Sequence, residues 1–399
     1  MNGRFREGLA GFIGFAVIFV VAAFIVSAPY SRIIPKILLF SIFALWVVYA
    51  VVKYGKNSLS RLFPEGPVAK SLLLAILVVC FLTLSFSLDP FHSQKILVNR
   101  FFPYALAFLA GFGIARESRV SRKVIVISLI AATIVLASGS IFDYIRFHHP
   151  PRLFTSFGVT IPFLMLPLFL SLQFPCVFAI ATVVRHWFYR TFAVIATLLI
   201  VPVILWQGSR TAWAASVAAL LFISFFRSKK LFTVVLIVLA GVGMFGFSCN
   251  ELRGKLVTFP QPEKWSCRTP LFDSALAVFR DHPILGAGPG MFEKMIHEPK
   301  YALPQNYEST RNMLHAHNMY FEVLAEMGIA GLLVFLAIFA AFFHAFIKRP
   351  RREDEFSEGL TLAGAGMVFG ILFFMISGSV VLVGLNDSLL FWFILGAAL

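Results

Sequence analysis

The chain has 399 residues, 59% of them hydrophobic and only 13% charged, with a formal net charge of +15. A soluble domain carries about 25% charged residues, so the composition excludes an ordinary water-soluble protein and points to a chain built for lipid. In a soluble protein so basic a balance would suggest nucleic acid; here the placement of the charges between apolar runs accounts for it, and no nucleic-acid partner is expected.

Arg4 and Arg6 precede an apolar run over residues 8–28. That run is long enough to cross about 30 Å of hydrocarbon. No small-residue cleavage site with a soluble domain follows, so it reads as a first transmembrane helix rather than a signal peptide. Eleven further apolar stretches come at residues 33–52, 71–88, 101–115, 124–142, 157–183, 192–207, 212–226, 231–248, 319–347, 360–383 and 389–399. The last is short, so the expected count is twelve spans, or eleven without it. The predicted fold class is all-α: a polytopic transmembrane helical bundle of about twelve helices. Residues 1–248 hold nine spans, residues 249–316 form one large loop between helices 9 and 10, and residues 317–399 hold three more spans.

With a cytoplasmic N-terminus, nineteen lysines and arginines fall on cytoplasmic segments and seven on the short external ones. The positive-inside rule therefore predicts cytoplasmic N- and C-termini. The 68-residue loop over residues 249–316 is then external, and long loops in compact proteins usually carry function. Of the four cysteines, Cys80, Cys176, Cys249 and Cys267, none forms a C-x-x-C pair, which disfavours a zinc site. Cys249 and Cys267 share the loop and are candidates for a disulfide in an oxidising compartment.

Within the loop, Leu271, Ala275, Val278 and Phe279 recur at helical spacing, which predicts a short amphipathic helix near residues 270–281, with Arg268 just before it. Gly286, Gly288 and Gly290 follow. Such a turn either brings backbone N–H groups to a phosphate or simply turns the chain tightly at the membrane surface. The loop ends at His315-Ala316-His317-Asn318, and a helix is expected to begin near Asn318. His317 then sits at a helix N-terminus, where the dipole disfavours imidazolium and keeps a proton-accepting imidazole available. Glu322 and Glu326 lie four residues apart on that helix. Two histidines are too few ligands for a metal, and no metal is expected. Arg210 lies in the tight turn between the seventh and eighth spans. A charge so near hydrocarbon signals function or pairing, and a guanidinium suits paired hydrogen bonds to phosphate or carboxylate. Two arginines and a neutral histidine on one external face fit an anionic, lipid-linked substrate: the arginines hold a pyrophosphate and the histidine takes a proton from an attacking hydroxyl.

Three pieces in this order, Gly208-Ser209-Arg210-Thr211-Ala212, the stretch from Arg268 through Gly286, Gly288 and Gly290 to Phe292, and His315-Ala316-His317-Asn318 running on to Gly328, resemble the O-antigen ligase superfamily. That superfamily contains lipopolysaccharide O-antigen ligases, polysaccharide polymerases and protein O-oligosaccharyltransferases. The resemblance implies a GT-C type glycosyltransferase in a bacterial inner membrane, with its active site in the periplasmic loop. It implies transfer of a completed glycan from undecaprenyl pyrophosphate to a sugar hydroxyl of lipid A–core, among membrane lipids, with no metal, ATP or other cofactor. Residue by residue it implies Arg210 and Arg268 on the leaving pyrophosphate and His317 as base, in a direct displacement with inversion. Gly288, His315 and Asn318 join Arg210 and Arg268 as substrate-binding candidates. Phe272 departs from the tryptophan often found in the family. The ligase is favoured over the polymerase and the oligosaccharyltransferase by the modest length and single large loop. A proton-coupled transporter or flippase is a more distant alternative, because such proteins place ionisable groups at mid-membrane.

Overall fold

The computed structural model describes residues 3–31, 33–55, 58, 63, 67–147, 153–156, 159–162, 166–248, 268–301, 315–349, 354–378 and 386–399. In hydrocarbon a backbone must satisfy its own N–H and C=O groups, and the apolar runs do so as helices. These are α1 (Gly3–Ser27), α2 (Ile34–Tyr54), α3 (Pro67–Ser85), α4 (Pro90–Ile96), α5 (Phe102–Glu117), α6 (Arg119–Phe147), α7 (Leu166–Val183), α8 (Trp187–Gln207), α9 (Arg210–Arg227) and α10 (Lys229–Ser248). In and after the loop come α11 (Thr269–Asp281), α12 (Phe292–Met295), α13 (Met319–Lys348), α14 (Glu355–Phe374) and α15 (Asn386–Ala398). Among the described residues, eight stretches are long and apolar enough to cross a membrane by length and composition, and each of the twelve expected runs overlaps a helix, the run over 360–383 being helical only as far as Phe374. The chain is a polytopic, multi-pass helical membrane protein.

Three details differ from the sequence expectation. The run over 101–115 extends back to Pro90, because α4 and α5 are joined by a π turn over Leu97–Phe101. Pro103 lacks an N–H and its ring crowds the carbonyl four residues earlier, which accounts for the widened turn. The run over 157–183 is helical only from Leu166; before it, β1 (Leu153–Ser156) pairs antiparallel with β2 (Val159–Pro162). The last run forms a helix of 13 residues, and its described side chains are almost all buried. Cys249 and Cys267, and with them the disulfide expectation, lie outside the described residues.

Nearly every residue of α7 and α14 is buried, so these two helices form the centre of the bundle. Phe12, Phe15 and Phe19 of α1 are about 70% exposed and form a surface suited to acyl chains. Small residues let backbones meet where no hydrophobic drive between helices exists. A Cβ on Gly111 of α5 would stand 2.0 Å from Phe393 O of α15, and one on Gly396 would stand 2.1 Å from Phe108 O. Helices α9 and α13 run the same way and α14 runs back against them. Arg210, Asn318 and the segment after α14 therefore share one end of the bundle, whereas Arg227, Lys348 and Glu355 share the other.

Candidate functional site

The site gathers on the three residues that follow α14, Met375 to Ser377. Gly208, at φ 70°, ends α8 in the left-handed conformation, and Ser209 caps α9 by accepting the Ala212 N–H. That tight turn leaves Arg210 as the first residue of α9. Next to it, the Thr211 hydroxyl hydrogen-bonds the Ser377 hydroxyl. From the loop, Arg268 stands at the start of α11 and donates from its guanidinium to Ser377 O at 2.6 Å. From α13, Asn318 donates its amide to Ile376 O at 2.9 Å, and the Met319 N–H donates to Met375 O at 3.0 Å. One short segment thus draws together the N-termini of α9, α11 and α13, and with them Arg210, Arg268 and His317. Helix N-termini carry partial positive charge, so arginines do not belong there for helix stability. Together the three helix ends and two guanidiniums make a place for an anion.

His317 has φ 52°, a left-handed backbone that costs an L-residue about 1–2 kcal/mol. Strain of this kind collects at functional positions. Burial, the Arg268 guanidinium and the neighbouring His315 hold its imidazole below the ordinary value. His315 goes the other way. Its own burial opposes a proton, but the Glu322 carboxylate, 3.0 Å from Nδ1, outweighs burial and raises it. Two histidines two residues apart are thus shifted in opposite directions, the kind of environment that can separate a base from a cation. Glu322 is 2% exposed and also accepts the Ala316 N–H at 3.2 Å, so it locks the turn that carries both histidines.

Two candidates turn out to have structural partners. Asn318 caps α13: its side-chain oxygen accepts the Tyr320 and Phe321 N–H groups at 3.0 and 3.2 Å, and its amide nitrogen is used on Ile376. Both ends of the side chain are therefore committed. The glycine turn docks rather than cradles. The Ala287 and Gly288 N–H groups donate to Ala325 O and Glu326 O, each at 2.9 Å. Glu326 Oε1 accepts the Phe292 N–H at 3.2 Å. On its other side the turn meets α4 and the residues just before it: Ser93 Oγ of α4 donates to Pro289 O at 2.9 Å and the Leu88 N–H donates to Ala287 O at 3.0 Å. The expected loop helix is present as α11, with Leu271, Ser274, Ala275 and Val278 buried, and Phe272 meets Phe321 of α13 edge-on.

Sequence reasoning missed Ser377 and Arg100. Arg100 lies in the π turn, close enough to His315 for its charge to oppose protonation there. Widened turns of this type recur at functional sites, but the signal is visible only once the backbone is known. Among the described residues, no three His, Cys, Asp or Glu side chains gather as a metal set.

Residues 195–336 match the family model described as O-antigen ligase. That segment contains Arg210, Arg268, Gly288, His315, His317 and Asn318. The chain is also similar to the exopolysaccharide production protein ExoQ of Rhizobium meliloti (strain 1021), with 23% identity over 184 residues. The similarity covers 46% of this chain and 40% of ExoQ, so less than half of that relative's length is matched. Both findings support the O-antigen ligase/polymerase superfamily, without singling out the ligase to lipid A–core.

Proposed function

We propose that this chain is an O-antigen ligase: a GT-C type, inverting glycosyltransferase of a bacterial inner membrane that moves a glycan from undecaprenyl pyrophosphate to a sugar hydroxyl of lipid A–core. The observation that carries the reading is the convergence of Arg210, Arg268 and His317, whose surroundings disfavour a proton, on the segment ending at Ser377. Arg210 and Arg268 bind the pyrophosphate of the donor and meet the negative charge that grows as its bond to the anomeric carbon breaks. His317 takes the proton of the acceptor hydroxyl as its oxygen forms the new glycosidic bond. Undecaprenyl pyrophosphate leaves on the opposite face, so the anomeric configuration inverts. His315, whose protonation the Glu322 carboxylate favours, stands beside the diphosphate as a further donor. Gly288 and Asn318 position this machinery through their backbone and capping bonds. The nineteen-to-seven charge bias supports a cytoplasmic N-terminus and a periplasmic site.

The name of the ExoQ relative favours a second reading, a polymerase that joins repeat units on the same kind of lipid carrier. Lipopolysaccharide banding in a strain lacking the chain separates the two. Core-only lipid with accumulated lipid-linked polymer is the ligase outcome; core bearing a single repeat is the polymerase outcome. Unchanged banding with normal surface polysaccharide would defeat both.

A further inference from the structure

We propose that the bundle end opposite this site holds a second anion site, a cavity of about 750 Å3 that takes the phosphate head group of an anionic phospholipid on Arg119, Arg185, Arg227 and Arg349. The four arginines come from separate places in the chain: the first turn of α6, the α7–α8 connection, the last turn of α9 and the residue after α13. Facing them across the lining are two carboxylates, Glu355 and Glu358 of α14. Arg349 forks onto Glu358 at 2.7 and 3.1 Å. Arg227 Nε donates to Thr182 O at 2.9 Å. Arg119 reaches Asp354 at 3.1 Å and Glu355 at 4.0 Å, and the backbone N–H of Arg185 donates to Glu355 Oε2 at 2.6 Å. These bonds hold the side chains of Arg119, Arg227 and Arg349 and the backbone of Arg185 around one space, and the lining keeps more guanidiniums than carboxylates. Each guanidinium carries five N–H donors, so donors remain for an incoming anion.

The rest of the lining is apolar: Val183, Phe226, Phe346, Ile347 and Leu362. Phe226 is 40% and Ile347 is 65% exposed, so this wall runs on to the outer surface of the bundle, where acyl chains lie. Inorganic phosphate or a free nucleotide would use the arginines and leave the apolar wall bare. A phospholipid uses both, and basic pockets between transmembrane helices on the cytoplasmic side are suited to anionic head groups. The proposal stands apart from the glycan-transfer reading, since it needs only the multi-pass fold and this cavity.

The test is native mass spectrometry of the purified full-length protein released from detergent micelles, titrated with phosphatidylglycerol or phosphatidylcholine. Wild type should retain phosphatidylglycerol at least about tenfold better than phosphatidylcholine. The double variant Arg185→Gln, Arg227→Gln should bring the two lipids within about twofold of each other, and millimolar inorganic phosphate should not displace the lipid. Equal retention of both lipids by wild type, or an undiminished preference in the double variant, would overturn the proposal. Displacement by inorganic phosphate would overturn it too, by assigning the cavity to a soluble anion. Glu358→Gln removes one negative charge and frees the Arg349 fork, so it decides the matter even if the double variant fails to insert. Retention of phosphatidylglycerol should rise by about threefold or more, and unchanged or weaker retention counts against a head-group site.

Discussion

The two histidines of the site differ in what they bond, and that difference sets their chemistry. His315 has a buried carboxylate at 3.0 Å; His317 has burial and the charge of Arg268 against it. A base with a lowered value is active once the pH exceeds that value. Transfer should therefore rise with pH along an acid limb lying below about pH 6.5, measured as initial rate against pH in reconstituted membranes. A limb at or above that value would remove the proposed environment of His317. His317→Ala should lower the rate by at least about 10²-fold, with membrane insertion unchanged. Arg210→Ala and Arg268→Ala should each cost about 10²-fold or more, and lysine replacements should recover little, because a point charge does not reproduce a bidentate fork. Arg210 stood out in the sequence because charge beside hydrocarbon is conspicuous, His317 because it precedes an expected helix start, and Arg268 because it precedes the loop helix. Ser377 did not, because its link to Arg268 runs through a carbonyl that every residue possesses and it sits inside a run that reads as lipid-spanning.

At the scale of elements, α13 is the critical piece. Its start was legible: Asn318 is a strong capping residue, and the structure uses it so. Asn318→Ala should lower stability by about 1 kcal/mol from the cap alone, with Asn318→Asp recovering the capping part, both read as a shift in thermal midpoint. The break at Gly328, φ 65° and ψ −165°, was not foreseen, since a lone glycine in an apolar run is common. A Cβ there would stand 2.3 Å from Ile284 O, and one on Gly286 would stand 2.3 Å from the Glu326 carbonyl carbon. Gly328→Ala and Gly286→Ala should each destabilise the protein and reduce transfer together, read by thermal midpoint and rate. A stable, fully active alanine variant would contradict the close backbone approach. Helix α11 was legible because four apolar residues share one face. The π turn was not, since it depends on how Pro103 meets the turn before it.

For the whole molecule, composition alone dictated the membrane-spanning class, and each of the twelve apolar runs overlaps a helix in sequence order. The way the helices pair was hidden, because lipid-facing and helix-facing apolar residues look alike in a sequence. So was the burial of α15 against α5, which rests on the Gly111 and Gly396 contacts. The transfer chemistry proposed at the N-terminal end of α13 uses only nitrogen and oxygen groups of the chain. Transfer should therefore persist in a chelator; a loss restored by a divalent ion would replace the metal-free scheme.

The break in α13 is stitched shut by the loop. The Ile329 N–H donates to Pro283 O at 2.9 Å and the Ala330 N–H to Ile284 O at 3.2 Å, while Ala287 and Gly288 bond the carbonyls on the other side of the break. The helix cannot straighten without forfeiting four main-chain bonds at once. The first turns of α13, which follow His317, and the glycine turn are consequently held together as one unit. Any movement that admits a substrate to this end of the bundle must therefore come from elements other than this tied pair.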